Sequence, residues 1–385
     1  MNTRTSTGAG SSTARGPEIV ARVGIALGAA VLVCFVTGLL SHWIQHPPHW
    51  FWWPANPAWL YRLTQGLHVI SGVAAIPLLL VKLWAVYPRL FQRPLIGPPL
   101  RALERGSIAL LVGATIFQLS TGLLNTAQYY PWKFFFPTTH YAMAYVVVGA
   151  LAVHLAVKLP VIRKALSRPV DSDPDTPSAS PADTSGHHRV SRRVVLVAAG
   201  LSATAATLAV AGQTVPFLRW AAVLAPRSGQ GPQGVPVNRS AKAAGISEHA
   251  RALDYRLTVI VGDQRRGFSR AELLALPQAS ARLPIACVEG WSASADWSGV
   301  RLRDLLAAVG AYRGGDVRFT SLERGGLYNS SLLPQRHAVD TNTLVALSLN
   351  GETLDLDHGY PCRLIAPNRP GVLQTKWLSA IEVLT

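Results

Sequence analysis

Cys287 is the residue of this 385-residue chain whose surroundings most favour metal chemistry. It lies in the stretch LPIACVEGWSASADWSG, where Trp291 and Trp297 follow it closely. A thiolate is a soft ligand that suits a transition metal, whereas a buried thiol packs as a small apolar group. The other two cysteines are Cys34 and Cys362, and the spacing predicts no zinc site. A disulfide between Cys287 and Cys362 stays open as an alternative.

Three histidines in apolar segments are the second group that could carry redox chemistry: His68, His140 and His154. An ionisable residue inside a bilayer is a functional candidate by default, although any one of them could be a packing residue. His140 and His154 are 14 residues apart. That is nearly four helical turns, so both face the same way, about 21 Å apart, as two stacked haems would require. The similar depths of His68 and His140 predict that both ligate one b haem.

The segments that position these histidines are apolar and long. Apolar residues make up 49% of the chain, and the mean hydropathy is +0.24. A bilayer is spanned by about 20 apolar residues in a helix. Five segments reach that length, and they are residues 20–42, 59–86, 106–126, 134–159 and 194–215.

Basic residues are distributed as in a membrane protein rather than a nucleic-acid-binding protein. Residues 1–226 contain 18 Lys and Arg against 6 Asp and Glu, and residues 227–385 contain 18 against 14. The excess in the first part lies in loops between apolar segments, and the side that is richer in Lys and Arg is cytoplasmic. Five spans therefore place the N-terminus in the cytoplasm and the C-terminal domain outside it, in a multi-pass protein of the cell membrane.

Four regions follow from this pattern. We predict a four-helix transmembrane domain over residues 1–165, a disordered cytoplasmic linker over 166–192 and a fifth transmembrane helix over 193–216. An extracytoplasmic domain follows over 227–385. The linker is rich in Pro, Ser and Asp and has no core to bury.

The fifth helix begins with a motif that bears on export. Ser191, Arg192, Arg193 and Leu196 are similar to a twin-arginine export signal, here in the middle of the chain. The cytoplasmic end of an ordinary stop-transfer helix is also rich in arginine, so a plain stop-transfer flank stays an alternative to the export signal.

The C-terminal domain reads as short strands and short helices. YRLTVIVGD alternates and ends at a turn, and RLPIACVEGW is a strand that ends at Cys287. SRAELLAL and VRLRDLLAAVG are short helices, the first with a capping box made by Ser269 and Glu272. Because strands and helices do not alternate regularly, the pattern predicts an α+β domain. The complete fold class is thus an all-α transmembrane bundle of four helices and a fifth anchoring helix, followed by an α+β domain.

The membrane segments resemble the four-helix cytochrome b subunits of formate dehydrogenases and hydrogenases. In that family the second helix supplies one haem ligand and the fourth supplies two, which correspond to His68, His140 and His154. The first segment, PEIVARVGIALGAAVLVCF, has no histidine where the family has its remaining ligand. The resemblance therefore implies one haem b and leaves a second, with His154 as ligand, as an open alternative.

The C-terminal domain resembles the sulfite oxidase superfamily. ACVEGWSASADWSGVRLRDLL is similar to its molybdenum-binding segment, LVALSLNGETLDLDHGYPCRLIAPNRPGVLQTKWLSAIEV to its closing segment and VPVNRSAKAAG to its pterin loop. The resemblance implies a Mo–molybdopterin cofactor with Cys287 as the catalytic metal ligand, and a structural Cys362. One thiolate is enough, because the pterin supplies the other sulfurs. By motif position it also implies these cofactor-binding residues: Asn238, Ser321, His358, Arg363, Gln374, Thr375 and Lys376.

The residues after Cys287 bear on the substrate. Sulfite oxidases have a Gly and paired arginines there, which bind the anionic substrate. This chain has Val288, Glu289, Gly290 and Trp291 instead. In that respect it is more similar to the methionine sulfoxide reductase members of the superfamily, which also have CVE and a nearby Trp.

Together these features predict a membrane-bound molybdenum oxidoreductase that reduces a small S-oxide or N-oxide and exchanges electrons with the quinone pool through b haem. A dehydrogenase that oxidises a small substrate such as sulfite is the alternative, and a non-catalytic electron-transfer module is another. The predicted partners are a small-molecule substrate, a quinone or quinol and the lipid bilayer, without nucleic acid. The protein is expected to be monomeric.

Overall fold

The computed structural model describes residues 15–91, 98–168, 191–212, 215–224 and 231–384. They fall into two compact units. The first unit combines the chain up to residue 35 with residues 70–125 and 130–208. The second unit combines residues 36–69, 126–129 and the chain from residue 209 onward. Most of the predicted linker lies outside the described residues.

Five helices in the described part of the chain are long and apolar enough to cross a membrane. They are α1 (Pro17–Gln45), α2 (Leu60–Leu90), α3 (Pro99–Thr126), α4 (Phe136–Leu166) and α5 (Arg192–Ala211). Each predicted apolar segment falls on one of these helices, so the prediction of five candidate spans is confirmed. The ends of α1 and α2 that flank the loop 46–59 belong to the second unit, and the remainder of both helices belongs to the first.

Within the first unit, α5 packs on α1 and α2. The contact is made by buried apolar side chains: Ile19, Val23, Leu78, Val195 and Ala199. At the same end the Glu18 carboxylate is only 2% exposed, with Arg192 Nη1 at 4.0 Å and Arg168 Nη1 at 3.8 Å. Arg192, the first arginine of the export-like motif, thus takes part in a buried ion pair between helices.

The second unit contains the α+β domain that the sequence predicts. Its described strands are β1 (Leu257–Val261), β2 (Gln264–Phe268), β3 (Gln278–Ala286), β4 (Ser292–Arg301), β5 (Val317–Ser321), β6 (Ser330–Leu333), β7 (Leu344–Leu349), β8 (Glu352–Thr353), β9 (Arg363–Ile365) and β10 (Leu378–Val383). Its α-helices are α6 (Ser247–Arg251), α7 (Arg270–Ala275), α8 (Leu302–Ala307) and α9 (Gln335–Ala338).

The strands form two five-stranded sheets around a shared core. The first sheet has the order β2-β1-β10-β5-β6, with β1 and β10 parallel. The second has the order β3-β4-β7-β8, and β9 also pairs with β7. The main apolar cluster takes Val259 and Ile381 from the first sheet and Val345 and Leu364 from the second. Burial of these side chains between the sheets is the main stabilising contribution to the domain.

Local sequence signals account for the elements around the site. The capping box of α7 is confirmed, because Ser269 Oγ accepts from the Glu272 N–H and Glu272 Oε2 accepts from the Ser269 N–H. β3 ends at Ala286, as the apolar run before Cys287 predicts. β4 was not predicted, because its SASADWSGVR sequence is rich in Ser and Ala, yet residues 292–300 of β4 pair with the whole of β3. The predicted helix VRLRDLLAAVG accordingly begins only at Leu302.

Candidate functional site

A five-residue loop, residues 287–291, joins β3 to β4 and carries Cys287; we call it the thiol loop. The Cys287 N–H donates to the Trp291 carbonyl at 2.9 Å, and the Gly290 N–H donates to the Cys287 carbonyl at 3.0 Å. Gly290 has a φ of +92°, which glycine adopts without strain. A β-carbon at Gly290 would also lie 2.8 Å from Val69 Cγ2. The loop is therefore held in one tight conformation at the end of β3.

The thiol of Cys287 lies in the protein interior, with 1% of the residue exposed. Burial raises the pKa of this thiol well above its ordinary value, Glu289 raises it further, and Lys376 acts in the opposite direction. The thiol is therefore protonated at neutral pH in the protein alone. A bound metal ion deprotonates a coordinating thiol. Metal binding would therefore produce the thiolate form of Cys287, which burial disfavours in the protein alone.

Arg363 is a buried cation on β9, 3% exposed. Its Nη1 donates to the His358 carbonyl at 3.0 Å, and its Nη2 donates to the Gln374 carbonyl at 3.1 Å. Burial lowers the pKa of Arg363 to about 9, which leaves the side chain charged at pH 7. A buried charge held by neutral carbonyls is costly without a counter-ion, so this position favours an anionic ligand.

Lys376 brings a second cationic group into the same region. Its Nζ donates to Asn238 Oδ1 at 3.1 Å and to the Asp357 carbonyl at 3.0 Å. The Ser321 hydroxyl donates to the Lys376 carbonyl at 2.8 Å. Burial, and then repulsion by Arg363, lowers the pKa of Lys376 to about 7. Three predicted cofactor residues, widely separated in the sequence, are thus joined by hydrogen bonds.

His358 lies beside these cations as a neutral ring. Its Nε2 donates to the Pro232 carbonyl at 2.8 Å, and burial, followed by repulsion from Arg363, lowers the pKa of His358 to about 4. In this tautomer the lone pair is on Nδ1, so the ring offers one acceptor and no charge at pH 7.

The side chains of Gln374 and Thr375 make hydrogen bonds that hold the closing segment against neighbouring parts of the domain. Gln374 Oε1 accepts from the Ala366 N–H at 3.2 Å, and its Nε2 donates to the Arg369 carbonyl at 3.1 Å. Thr375 Oγ1 lies 2.6 Å from the Ser331 hydroxyl. Both residues flank Lys376 in the chain, and their role as direct cofactor contacts stays a prediction.

The assembled residues fit a polar, anionic group that brings its own sulfur donors. Arg363 and Lys376 supply positive charge, and Cys287 supplies one thiol. In addition, Trp297 Nε1 and Arg369 Nε are buried donors that have no hydrogen-bond partner among the described residues. Buried donors are normally satisfied, so unpaired ones in this domain indicate room for a ligand that accepts hydrogen bonds. A pterin with a phosphate has such acceptors.

Glu289 is the charged residue that the thiol loop itself contributes. Its Oε2 accepts from Trp291 Nε1 at 3.0 Å and from Gln128 Nε2, in the segment between α3 and α4. Gln128 was missed at the sequence level, because no motif signals a contact between residues 161 positions apart. The loop therefore presents an anchored carboxylate near the thiol, where a sulfite-binding site would have arginines.

The three predicted histidines lie on the predicted helices, and two of them, His68 and His140, have a matching pair of neighbours. In the second unit, His68 Nδ1 on α2 lies 3.2 Å from Thr37 Oγ1 on α1. A β-carbon on the next residue, Gly38, would be 3.0 Å from His68 Cε1. The Thr-Gly dipeptide thus both contacts the ring nitrogen and lets α1 approach the ring closely.

The same arrangement occurs in the first unit. His140 Nδ1 on α4 lies 3.2 Å from Thr121 Oγ1 on α3, and a β-carbon on Gly122 would be 3.6 Å from His140 Cε1. Thr121 Oγ1 donates to the Phe117 carbonyl at 2.8 Å, so it accepts from the Nδ1–H of His140. The lone pair is then on Nε2, which is the ligating tautomer. His154 also lies on α4, and the sharing of one iron by His68 and His140 stays a prediction.

Comparison with known proteins identifies the C-terminal domain. Residues 243–385 match the family model described as the oxidoreductase molybdopterin binding domain. The chain is 28% identical over 172 residues to sulfite oxidase of Arabidopsis thaliana, which covers 36% of this chain and 44% of that protein. It is 34% identical over 134 residues to a protein of Azospira oryzae that is provisionally named protein-methionine-sulfoxide reductase subunit YedZ1, with 34% of this chain and 50% of that protein covered.

The chain spans about half the length, or less, of the curated relatives it matches. A solved structure, the sulfane dehydrogenase SoxCD of Paracoccus pantotrophus, aligns at 24% identity over 34% of this chain and 38% of that chain, with a TM-score of 0.31. That overlap is too small to support a functional conclusion. The family match and the sulfite oxidase relatives make the C-terminal domain a molybdopterin-binding oxidoreductase domain, preceded by five long apolar helices.

Proposed function

We propose that the chain is a membrane-bound molybdenum oxidoreductase that reduces a small S-oxide or N-oxide with electrons from the quinol pool, passed through b haem. The observation that carries the proposal is the position of Cys287. It is a buried thiol at the end of β3 in a molybdopterin-binding domain, with the cations of Lys376 and Arg363 in the same site. A molybdenum held by the pterin dithiolene supplies two-electron chemistry on oxygen atoms when bound.

The residues of the chain bind and orient the cofactor in this proposal. Cys287 provides the thiolate, and Arg363 and Lys376 bind the anionic end, with Asn238 and Ser321 fixing Lys376 through the hydrogen bonds described above. Burial of the thiol keeps water away from the metal ligand. Fixed charges in a dry site interact more strongly than they would in water.

The carboxylate of Glu289 favours a substrate that carries no net charge. After burial, this carboxylate has the largest effect on the pKa of the Cys287 thiol, and Trp291 and Gln128 hold it in place. An anion such as sulfite would be repelled there, whereas an S-oxide or N-oxide is a dipolar molecule that carries no net charge. This favours reduction of a neutral oxide.

The names of the sulfite oxidase relatives support a second candidate, oxidation of a small substrate with electrons passed to quinone. Both candidates use the same cofactor and differ in the direction of electron flow. They also differ in the charge of the substrate that the site must accept.

His68 and His140 are the proposed haem ligands. Each has its Nδ1 in contact with a threonine hydroxyl of the preceding helix, an outer contact that orients metal-binding imidazoles. His154 is proposed as a ligand of a second haem only as an alternative. In the proposed topology the N-terminus is cytoplasmic, the molybdopterin domain is extracytoplasmic, and the motif at Arg192 and Arg193 directs export of the folded domain.

The experiment uses the full chain purified in detergent. Molybdenum content and Soret absorption are measured first, and the haem is then reduced with a quinol analogue. Addition of dimethyl sulfoxide, methionine sulfoxide or trimethylamine N-oxide should reoxidise it. Reduction of oxidised haem by sulfite, without reoxidation by any oxide, would establish the second candidate instead. A preparation that lacks both molybdenum and haem would exclude the proposal.

A further inference from the structure

Asn368 connects the molybdopterin domain to the loop 46–59 and the start of α2, all within the second unit. It is 1% exposed, and its φ of 55° lies in the left-handed region. Its Oδ1 accepts from the Tyr61 N–H at 2.6 Å, and its Nδ2 donates to the Pro54 carbonyl at 2.6 Å. Its own carbonyl accepts from Trp53 Nε1 at 3.0 Å. One buried amide thus bridges two backbone positions of the helical segment.

The turn that begins at Asn368 packs against the backbone of Ala286 and Cys287. Pro370, two residues on, forms a parallel β-bridge with Ala286, the residue before Cys287. A β-carbon on Gly371 would lie 3.3 Å from the Ala286 carbonyl and 3.6 Å from Cys287 Cα. Residues 368–371 therefore pack against the end of β3. The position of this turn depends on the hydrogen bonds of Asn368 to Pro54 and Tyr61.

The thiol loop is also contacted directly by the start of α2. Gln65 Nε2 donates to the Val288 carbonyl at 3.3 Å. Val69, one turn further, is the residue that a β-carbon at Gly290 would strike. Because residues i and i+4 share one helix face, these two contacts make a single surface of α2 on which the loop lies.

We propose that Asn368 is a positioning residue for the metal thiolate, and that residues 53–69 of the helical segment are part of the support of the molybdenum site. The proposal rests on the proposed function only in that Cys287 is taken as the metal ligand. In addition, the position of this ligand is set by the helical segment 53–69, through Asn368 and the turn 368–371. The molybdopterin domain therefore completes its site with residues outside its own fold.

The test is hydrogen–deuterium exchange on the full chain in detergent, comparing wild type with Asn368→Gly. Glycine keeps the left-handed backbone and removes only the side-chain amide. Asn350→Gly is the matched control. Asn350 also has a left-handed φ, 51°, and its amide accepts from the Asp296 N–H and donates to the Gln233 carbonyl, without a partner in residues 53–69.

We expect Asn368→Gly to speed exchange in the peptide containing the thiol loop by about tenfold, because each lost hydrogen bond contributes a factor of roughly 2 to 10. The Asn350 variant should leave that peptide unchanged and speed exchange around Asp296. The Mo(V) resonance of the redox-poised protein should broaden only in the Asn368 variant, since a loosened thiolate samples several angles at the metal.

Exchange of the thiol loop within twofold of wild type in Asn368→Gly, or equal acceleration in both variants, would overturn the proposal. If Asn368→Gly does not accumulate, Trp53→Phe removes only the Nε1 donor to the Asn368 carbonyl and is judged by the same criterion. Molybdenum content is measured on the same samples. Its absence from wild type would count against the proposed function, whereas the exchange comparison would still decide the positioning role of Asn368.

Discussion

The molybdopterin site and the membrane histidines are positioned in opposite ways. The site gathers residues from Asn238 to Lys376, and most of the hydrogen bonds that hold the predicted cofactor residues end on a backbone carbonyl or amide. His68 and His140 each lie on a single helix and are oriented by one threonine and one glycine of the preceding helix. The molybdopterin site therefore depends on a folded network, whereas each histidine depends on one helix–helix contact.

This contrast predicts where each region will fail. When one hydrogen bond of the network is lost, the remaining bonds still hold the residues in place. The substitutions with the largest effect on activity there are therefore those that remove the thiol or a charge. In the helices, the orientation of each histidine ring depends on a single threonine hydroxyl. Four predictions separate the two regions, from complete loss of activity to a small change in redox potential.

Cys287→Ala should reduce turnover to the level of cofactor-free protein, because the metal loses its only protein thiolate. The haem spectrum should stay as in wild type, since the threonine and glycine contacts of His68 and His140 do not involve Cys287. Oxide-dependent reoxidation of the haem is the activity measurement. Cys362→Ala is the control: Cys362 is equally buried and contacts the Tyr255 hydroxyl at 3.2 Å, and its loss should leave turnover. Turnover that survives in Cys287→Ala would show that the ligand has been misassigned.

His140→Ala should abolish the b-type Soret band of the proposed haem, whereas molybdenum content stays unchanged. His68→Ala should do the same, because both rings are proposed to ligate one iron. The measurement is the reduced-minus-oxidised spectrum of the purified chain. His154→Ala provides the comparison, since it should leave this haem in place. A band lost only in His154→Ala would transfer the ligand assignment to that residue.

Cofactor retention should weaken as the pH rises above about 7, through Lys376. The pKa of Lys376 is lowered to about 7 in the protein alone, and a bound phosphate raises it. The attractive charge is therefore fully present below pH 7 and is lost as the pH rises through the raised pKa of the complex. Molybdenum retained after dialysis should fall several-fold between pH 6 and pH 9. In Lys376→Arg the dependence should flatten, because a guanidinium stays protonated. An equal pH dependence in both proteins would assign it to another group.

Thr121→Val should shift the midpoint potential of the haem by tens of millivolts, because the imidazole of His140 loses the acceptor for its Nδ1–H. A shift of 59 mV corresponds to a factor of ten for one electron. Thr115→Val on the same helix is the control, since its hydroxyl donates to the Leu111 carbonyl at 2.7 Å. Potentiometric titration followed at the Soret band distinguishes the two. Equal potentials in both variants would leave Thr121 with a packing role.

The sequence carried enough information for the elements that follow local rules. The strand that ends at Cys287 is visible as an apolar run, and the capping box of α7 is visible as Ser269 and Glu272. Arg363 and Lys376 were predicted as cofactor residues because the closing segment resembles a known family. The five helices needed only their length and apolar composition.

The contacts that the sequence did not reveal join distant parts of the chain. Trp53 and Asn368 are 315 positions apart, and nothing in either residue type marks a partner at that distance. β4 was missed because its Ser and Ala residues lack the apolar alternation of a typical strand. The Thr-Gly dipeptides at 37–38 and 121–122 could have been noticed as a repeat, but their contact with a histidine requires the register between two helices.

The contact between the thiol loop and α2 has a kinetic consequence. Val288 and Gly290 lie against Gln65 and Val69, and the proposed haem ligand His68 is the residue before Val69. Where a redox centre and its electron donor are carried on separate subunits, they must first encounter each other, and the rate depends on their concentrations. Here both positions belong to one compact unit of one chain, so the encounter step is replaced by a fixed effective concentration. Electron transfer should then be first order and insensitive to dilution, with one donor for every acceptor.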